Sequence, residues 1–164
     1  MTAMPEITLD KAVLDLAERA GQRARTLDDG ARLEFTADLE ICYEITHSDG
    51  SYHLHVISRG ERGIPNVSSP ELSQIEKHLT YVFGRQVRQA LRLPALPRIG
   101  GLPGGFSLHT LPGYRHVLTW TDDDTTHEAT FSSHTSAVIF ACYARASRPD
   151  VEASMLSPDG SPVF

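Results

Sequence analysis

Three observations in a chain of 164 residues predict an α+β fold, with helices covering a mostly antiparallel sheet of about five to six strands. Apolar side chains recur at helical spacing from Leu72 to Leu91, the mark of a long central helix. Short runs that alternate apolar and polar residues, separated by turn signals, predict half-buried strands on either side of it. Val138 to Tyr143 is apolar nearly all round, as a buried helix near the C-terminus would be. With 40% hydrophobic residues the chain can bury a real core, and the simplest organisation is one domain over residues 1–164.

In chain order, Leu9 to Ala20 places Val13, Leu16, Ala17 and Ala20 on one face, with Thr8 as the expected cap and Gly21 as the close. Arg32 to Thr36 and Leu39 to Thr46 alternate as strands do, and Asp49-Gly50 is a hairpin turn leading into Ser51 to Ser58. With Ser48 opposite Ser51, Tyr43, Ile45, Leu54 and Val56 share the buried face. Glu44, Thr46, His53 and His55 then share the other, solvated one.

The central helix carries Leu72, Ile75, Leu79, Val82, Phe83, Val87, Ala90 and Leu91 on its apolar stripe. Ser68 or Ser69 is the expected cap, Pro70 suits the first turn, and Glu71 sits where the helix dipole favours a negative charge. Pro94 and Pro97 end it near Leu91 to Leu93, giving about 33 Å of helix. Residues 93–105, rich in Pro and Gly, read as a loop crossing the surface. Phe106 to Leu111, Arg115 to Trp120 and His127 to Phe131 are the remaining strands, with turns at 111–113 and 122–125. Ser133 caps the buried helix, Pro149 to Leu156 forms a short one, and Val163-Phe164 docks back on the core.

A net charge of −6 arises from acids scattered among Arg and Lys, with Asp122-Asp123-Asp124 as the one like-charged run. Nucleic acid recognition needs a clustered basic surface, so it is excluded as an expectation. Met1 to Asp10 lacks the basic and apolar regions of a signal peptide, and no apolar run approaches about 18 residues, so a cytoplasmic location without membrane contact is expected. Cys42 and Cys142 form no Cys-x-x-Cys pair and are expected to be reduced.

Candidate chemistry is sparse. His53-x-His55 with cross-strand Glu44 has the ligand chemistry of a zinc site, but on a solvated hairpin face the same residues make a weak cross-strand contact. Cys42 shares a face with His55, whereas Cys142 lies in the most apolar helix, where a thiol behaves as a hydrophobe. Gly100 to Gly105 lacks the Gly-Lys-Ser/Thr of a phosphate loop and reads as a flexible connection. No catalytic set, cofactor or metal is therefore expected. Two charged segments remain. Arg59, Gly60, Glu61, Arg62 and Gly63 place charges between glycines after a hairpin, where a loop can project; Asp122, Asp123 and Asp124 form the rival turn.

Ile75-Glu76-Lys77-His78-Leu79, Phe83-Gly84, Val87-Arg88 and Leu93-Pro94-Ala95-Leu96, in this order and spacing, resemble the immunity factor of the tuberculosis necrotizing toxin. The tail from Ser154 to Phe164, a short helix, an acidic-Gly turn and a final Pro-aliphatic-Phe, resembles the end of the same family. Residues 1–68 resemble it only in the order of elements. The resemblance implies a non-enzymatic antitoxin, monomeric when free, that binds a cognate NAD-glycohydrolase toxin domain 1:1 and blocks its NAD cleft. The toxin contact is then expected at Arg59, Gly60, Glu61, Arg62 and Gly63, or at Asp122, Asp123 and Asp124. The alternative is a small acidic secretion chaperone or another protein-binding module that inhibits nothing.

Overall fold

Asp10, not the expected Thr8, begins the first helix by accepting a hydrogen bond from the amide of Ala12 through its side chain. A computed structural model describes residues 4–164; of the start read for a targeting segment, Met1, Thr2 and Ala3 lie outside the described residues. Helix α1 is Lys11–Arg19, and it is followed by β1 (Arg23–Leu27), β2 (Arg32–Thr36), β3 (Ile41–Ser48) and β4 (Ser51–Ser58). Two short strands, β5 (Glu61–Arg62) and β6 (Val67–Ser69), lead to the long helix α2 (Leu72–Ala90). The rest is β7 (Phe106–Leu111), β8 (Arg115–Asp122), β9 (Thr125–Phe131), α3 (His134–Tyr143) and α4 (Arg148–Leu156).

One antiparallel sheet runs β1-β2-β3-β4-β6-β9-β8-β7, with β5 paired to the end of β4. The α+β class is as the sequence predicts, but the sheet has nine strands where about six are legible. The three extra strands have physical reasons to hide. β1 reads Arg-Ala-Arg-Thr-Leu and is exposed along most of its length, so it lacks an apolar face. β5 and β6 hold two and three residues, too few to show a period.

The hairpin register is the expected one, with Ser48 opposite Ser51 and Ile45 opposite Leu54. Ile45, Leu54, Phe35 and Leu33 bury under α1 and α2, while Leu118, Trp120, Ala129 and Phe131 bury under α3. Phe83 of α2 meets Phe35 edge-on at 5.1 Å, and Phe140 of α3 meets Phe131 at 5.2 Å. All the helices thus share one face of the sheet, and α4 packs on α2.

Helix α2 starts later than expected. Ser68 and Ser69 end β6, Pro70 precedes the helix, and Glu71 stands at its cap position without a side-chain capping bond. The Glu71 carboxylate instead pairs with His127 Nδ1 at 2.7 Å. Ser133 does cap α3 through the amide of Ser136, as expected. Val163 is tied back by its amide donating to Ser154 Oγ, and Phe164 packs near Tyr81 and Tyr143.

Strand register sorts the turns into two groups. Residues 28–31, 49–50 and 123–124 lie at one end of the sheet, called here the aspartate end. Residues 37–40, 59–60 and 112–114 lie at the other, together with the C-terminus of α2. This second end is called the groove end for the feature described next.

Candidate functional site

Arg88 organises the groove end. Its guanidinium is buried, and it donates to Pro94 O at 2.8 Å, Met155 O at 3.1 Å, Pro158 O at 2.7 Å and also to Ser157 O. Four carbonyls take the place of a carboxylate, which satisfies the donors of a charge that would otherwise be costly to bury. These bonds join the end of α2, the proline exit and the end of α4 in one unit. Close packing completes it: a Cβ on Gly84 would lie 2.6 Å from Met155 Cβ, and one on Gly160 would lie 2.8 Å from Leu96 Cδ2. The two sequence segments that carry the family resemblance are therefore a single knot in space.

Residues 93–102, of which Pro94 and Leu96 belong to this knot, border with α2 and α3 a groove of about 1450 Å³. Val82, Leu108, Val138 and Ile139 supply its apolar lining, and Arg85, Arg98 and His134 its basic one. Among the described residues no Asp or Glu lines it, although the chain as a whole carries −6. A second cavity of about 390 Å³ continues past Tyr43, Gln86 and Gln89 towards Asp38 and Ile41. Exposed apolar side chains ring the same end: Leu39 and Ile41 on one turn, Leu91 after α2, Leu102 on the loop, and Leu111 and Tyr114 on another turn.

Arg59 to Gly63 also lie here, but they do not project freely. Arg59-Gly60 is a two-residue turn with φ of 51° and 78°, and the Arg59 amide donates to Glu40 O at 2.7 Å. Glu61 and Arg62 then pair with Ser58 and Ile57 as β5. Arg62 Nη2 reaches 2.9 Å from Glu44 Oε1, off the hydrogen-bond axis, while Arg32 Nη1 donates to Glu44 Oε2 at 2.9 Å. The side chains of Arg59, Glu61 and Arg62 remain exposed.

This corrects the expectation of a solvated outer face on the β3–β4 hairpin: Glu44 is 2% exposed and His55 7%. The sharing of faces is as expected, but the two arginines close over the carboxylate. His53 is committed elsewhere, with Nε2 donating to Ser48 O and Nδ1 accepting from Ser68 Oγ. Glu44, His53 and His55 thus do not converge as ligands. Burial, aided by Arg62, lowers the His55 pKa. Burial, reinforced by Glu34 and Glu44, pushes the Cys42 thiol up to about 11, so it is a thiol and not a nucleophilic thiolate at neutral pH.

Asp122, Asp123 and Asp124 stand at the aspartate end, where Asp28, Asp29 and Asp49 occupy the neighbouring turns. The structure does not bring the two candidate segments together. Eight residues of strand between the ends span about 26 Å. The groove residues Arg85 and Arg98 are legible in the sequence only as polar-face and loop residues. The pair Gly100-Gly101 between Pro97 and Pro103, placed after an amphipathic helix, is the one sequence signal that marks the wall.

Residues 16–163 match a family model described as Immunity protein 61. No curated protein matches the chain. Among solved structures, Rv3902c from M. tuberculosis has the same fold with a TM-score of 0.83, at 24% identity, over 99% of this chain and 97% of that one. Among the described residues no helix is long and apolar enough to cross a membrane.

Proposed function

The chain belongs to the immunity protein 61 family, and from that premise we propose that it binds a cognate NAD-glycohydrolase toxin domain 1:1, blocks the NAD cleft and so protects the cytoplasm of the producing cell. The observation that carries this reading is the gathering of exposed Leu39, Ile41, Leu91, Leu102, Leu111 and Tyr114 at one end of the sheet. Large apolar side chains interspersed with arginine are the composition of an interface core, and six of the eight exposed large apolar side chains among the described residues stand at this end. Because escaped toxin activity would deplete NAD, the complex is tight, on the order of nM or better, about 12 kcal/mol.

The contact is placed at the groove end, with Arg59, Gly60, Glu61, Arg62 and Gly63 on its margin. A second reading has one observation in its favour: six aspartates, Asp28, Asp29, Asp49, Asp122, Asp123 and Asp124, share the opposite end. A cleft that holds an anionic dinucleotide is expected to be basic, and that end would be steered to it. A standard interface takes about 800 Å² from each partner, so one end makes the contact and the other does not.

Mixing the purified protein with the toxin encoded beside it, and following NAD cleavage, tests the inhibition itself. Cleavage that continues at stoichiometric excess would end the inhibitor reading, and binding without inhibition would favour an escort protein. Arg59→Glu with Glu61→Lys is expected to weaken the complex about tenfold or more. Asp122→Asn, Asp123→Asn and Asp124→Asn together are expected to change it less than about twofold; the reverse ranking transfers the contact to the aspartate end.

A further inference from the structure

The groove between α2, α3, β7 and the loop 93–102 carries more information than its apolar rim. At about 1450 Å³ it exceeds the roughly 300 to 1,000 Å³ typical of small-molecule pockets, and it runs on into the second cavity. A length of chain fits such a channel better than a metabolite does. Arg85 on α2 and Arg98 on the loop are exposed, and among the described residues neither makes an ion pair within 4.0 Å. Arg88, by contrast, is saturated by carbonyls and is unavailable to a ligand. Leu108, Val138 and Ile139 are half-buried and form an apolar strip. The first turn of α3, at His134 and Thr135, also opens into the groove and adds the positive end of a helix.

The outer wall is adaptable. Among the described residues, 93–105 make no backbone hydrogen bond to another backbone group beyond the one that Leu93 donates to Arg88 O. Arg145 fastens only the far end, donating to Gly104 O at 3.1 Å and Gly105 O at 3.4 Å. A Cβ at Gly100 or Gly101 would meet nothing within 4 Å, so the wall has room to close on an occupant.

We infer that this groove binds an extended acidic segment of the protein partner, with aliphatic side chains on Leu108, Val138 and Ile139 and carboxylates on Arg85 and Arg98. The inference rests on the partner being a protein, as proposed above, and it names the chemistry of the segment that enters. Exposed carboxylates on such a segment find in Arg85, whose guanidinium lies 5.8 Å over the Tyr81 ring, and in Arg98 two groups without an ion pair among the described residues, and guanidinium binds carboxylate bidentately.

The probes are fluorescein-labelled peptides of about ten residues: one alternating Leu and Glu, one alternating Leu and Lys, and one of Glu alone. Anisotropy with the full chain is expected to show saturable binding of the Leu-Glu peptide and at least about tenfold weaker binding of the other two. The double variant Arg85→Glu, Arg98→Glu is expected to lose about tenfold or more for the Leu-Glu peptide. Both side chains are exposed, so circular dichroism and Tm stay at parental values. Val138→Asn tests the apolar strip independently and is expected to weaken the same peptide.

No saturable Leu-Glu binding, equal binding of the Glu peptide, or full binding by the double variant overturns the inference. The neighbouring toxin separates this from the function proposed above. A double variant that still holds the toxin as the parent does, while Arg59→Glu with Glu61→Lys releases it, overturns the groove as the seat and leaves the immunity reading intact. A parent that fails to bind the toxin removes the immunity reading, and the peptides then decide the groove alone.

Discussion

At the aspartate end of the sheet, the turns present Asp28, Asp29, Asp49, Asp123 and Asp124 to water and little else; at the groove end, the turns and the α2 exit present Leu39, Ile41, Leu91, Tyr114 and four exposed arginines, Arg59, Arg85, Arg92 and Arg98. Asp38, Glu40 and Glu61 temper the second end without reversing it. Each end joins the same strands and faces the same solvent, so solubility alone does not account for the difference. The aspartate end does what a hairpin terminus needs, since short polar residues tolerate positive φ and stay hydrated. The groove end keeps apolar and cationic surface that a solitary fold has no need of. That contrast is why the contact is proposed at the groove end and not at the aspartate end.

The largest effect should come from cutting the knot beneath the groove. Arg88→Met removes the donors of four carbonyls, of which Pro94 O and Pro158 O accept from no other group among the described residues. The expected loss is about 3 to 5 kcal/mol, because each buried carbonyl left without a donor costs about 1 to 3 kcal/mol. Urea unfolding monitored at Trp120 measures it. A loss below about 1 kcal/mol would show that the groove end does not depend on Arg88, and with it would go the argument that the resemblance segments act as one scaffold.

Acid supplies a destabilisation that belongs to neither end. His78 packs against Phe131 and Phe140 in the middle of α2, and burial pushes its pKa down to about 4. A histidine whose folded pKa lies below its unfolded value of about 6.5 stabilises fully above that pH. The stabilisation is lost as pH falls from about 6.5 towards 4, because the unfolded chain takes the proton first. His78 retains some solvent contact, so the loss is set at about 2 kcal/mol and not the larger figure for a fully dry ring. His78→Phe should flatten this part of the stability profile, and an unchanged slope between pH 6.5 and 4 would place the acid sensitivity elsewhere.

Much of the scaffold was legible because it repeats. The α2 stripe from Ile75 to Val87, the Asp49-Gly50 turn and the Ser133 cap each follow a local rule, whereas Ala90 and Leu91, expected on the stripe, are exposed, and Arg88 is buried because backbone carbonyls from the α2 exit and the end of α4 accept from it. The edge strand β1 and the short β5 and β6 have no such repeat, and they form because longer neighbours hold them in register. The site was less legible for a related reason. Glu44 alternates onto the outer face as expected, yet its burial depends on Arg32 and on Arg62, 18 positions further along, so no local pattern foretells it. Glu44→Gln tests how far the charged turn is held by this contact. The expected loss is about 1 to 2 kcal/mol, with faster amide exchange at residues 61–66 and no change at 123–124. Unchanged exchange at 61–66 would mean that β5 pairing, and not the ion pair, holds the segment.

The smallest expected effect is a gain. Among the described residues three two-residue hairpin turns have both φ values positive: Asp49-Gly50 at 52° and 75°, Arg59-Gly60 at 51° and 78°, and Asp123-Asp124 at 46° and 62°. These are the signs of a type I′ turn, in which glycine is favoured at the second position because no Cβ opposes a left-handed backbone. Two of the turns have that glycine, and the third has Asp124. Asp124→Gly should therefore stabilise the hairpin by about 0.5 kcal/mol, partly offset by the greater freedom of glycine in the unfolded chain. It also removes one charge from a row of three. If the aspartate end serves only to turn the chain, the variant melts slightly higher and inhibits the toxin as the parent does. If the charge row is the contact, the same substitution gains stability while losing affinity, and that divergence of Tm from Kd would move the partner to the other end of the sheet.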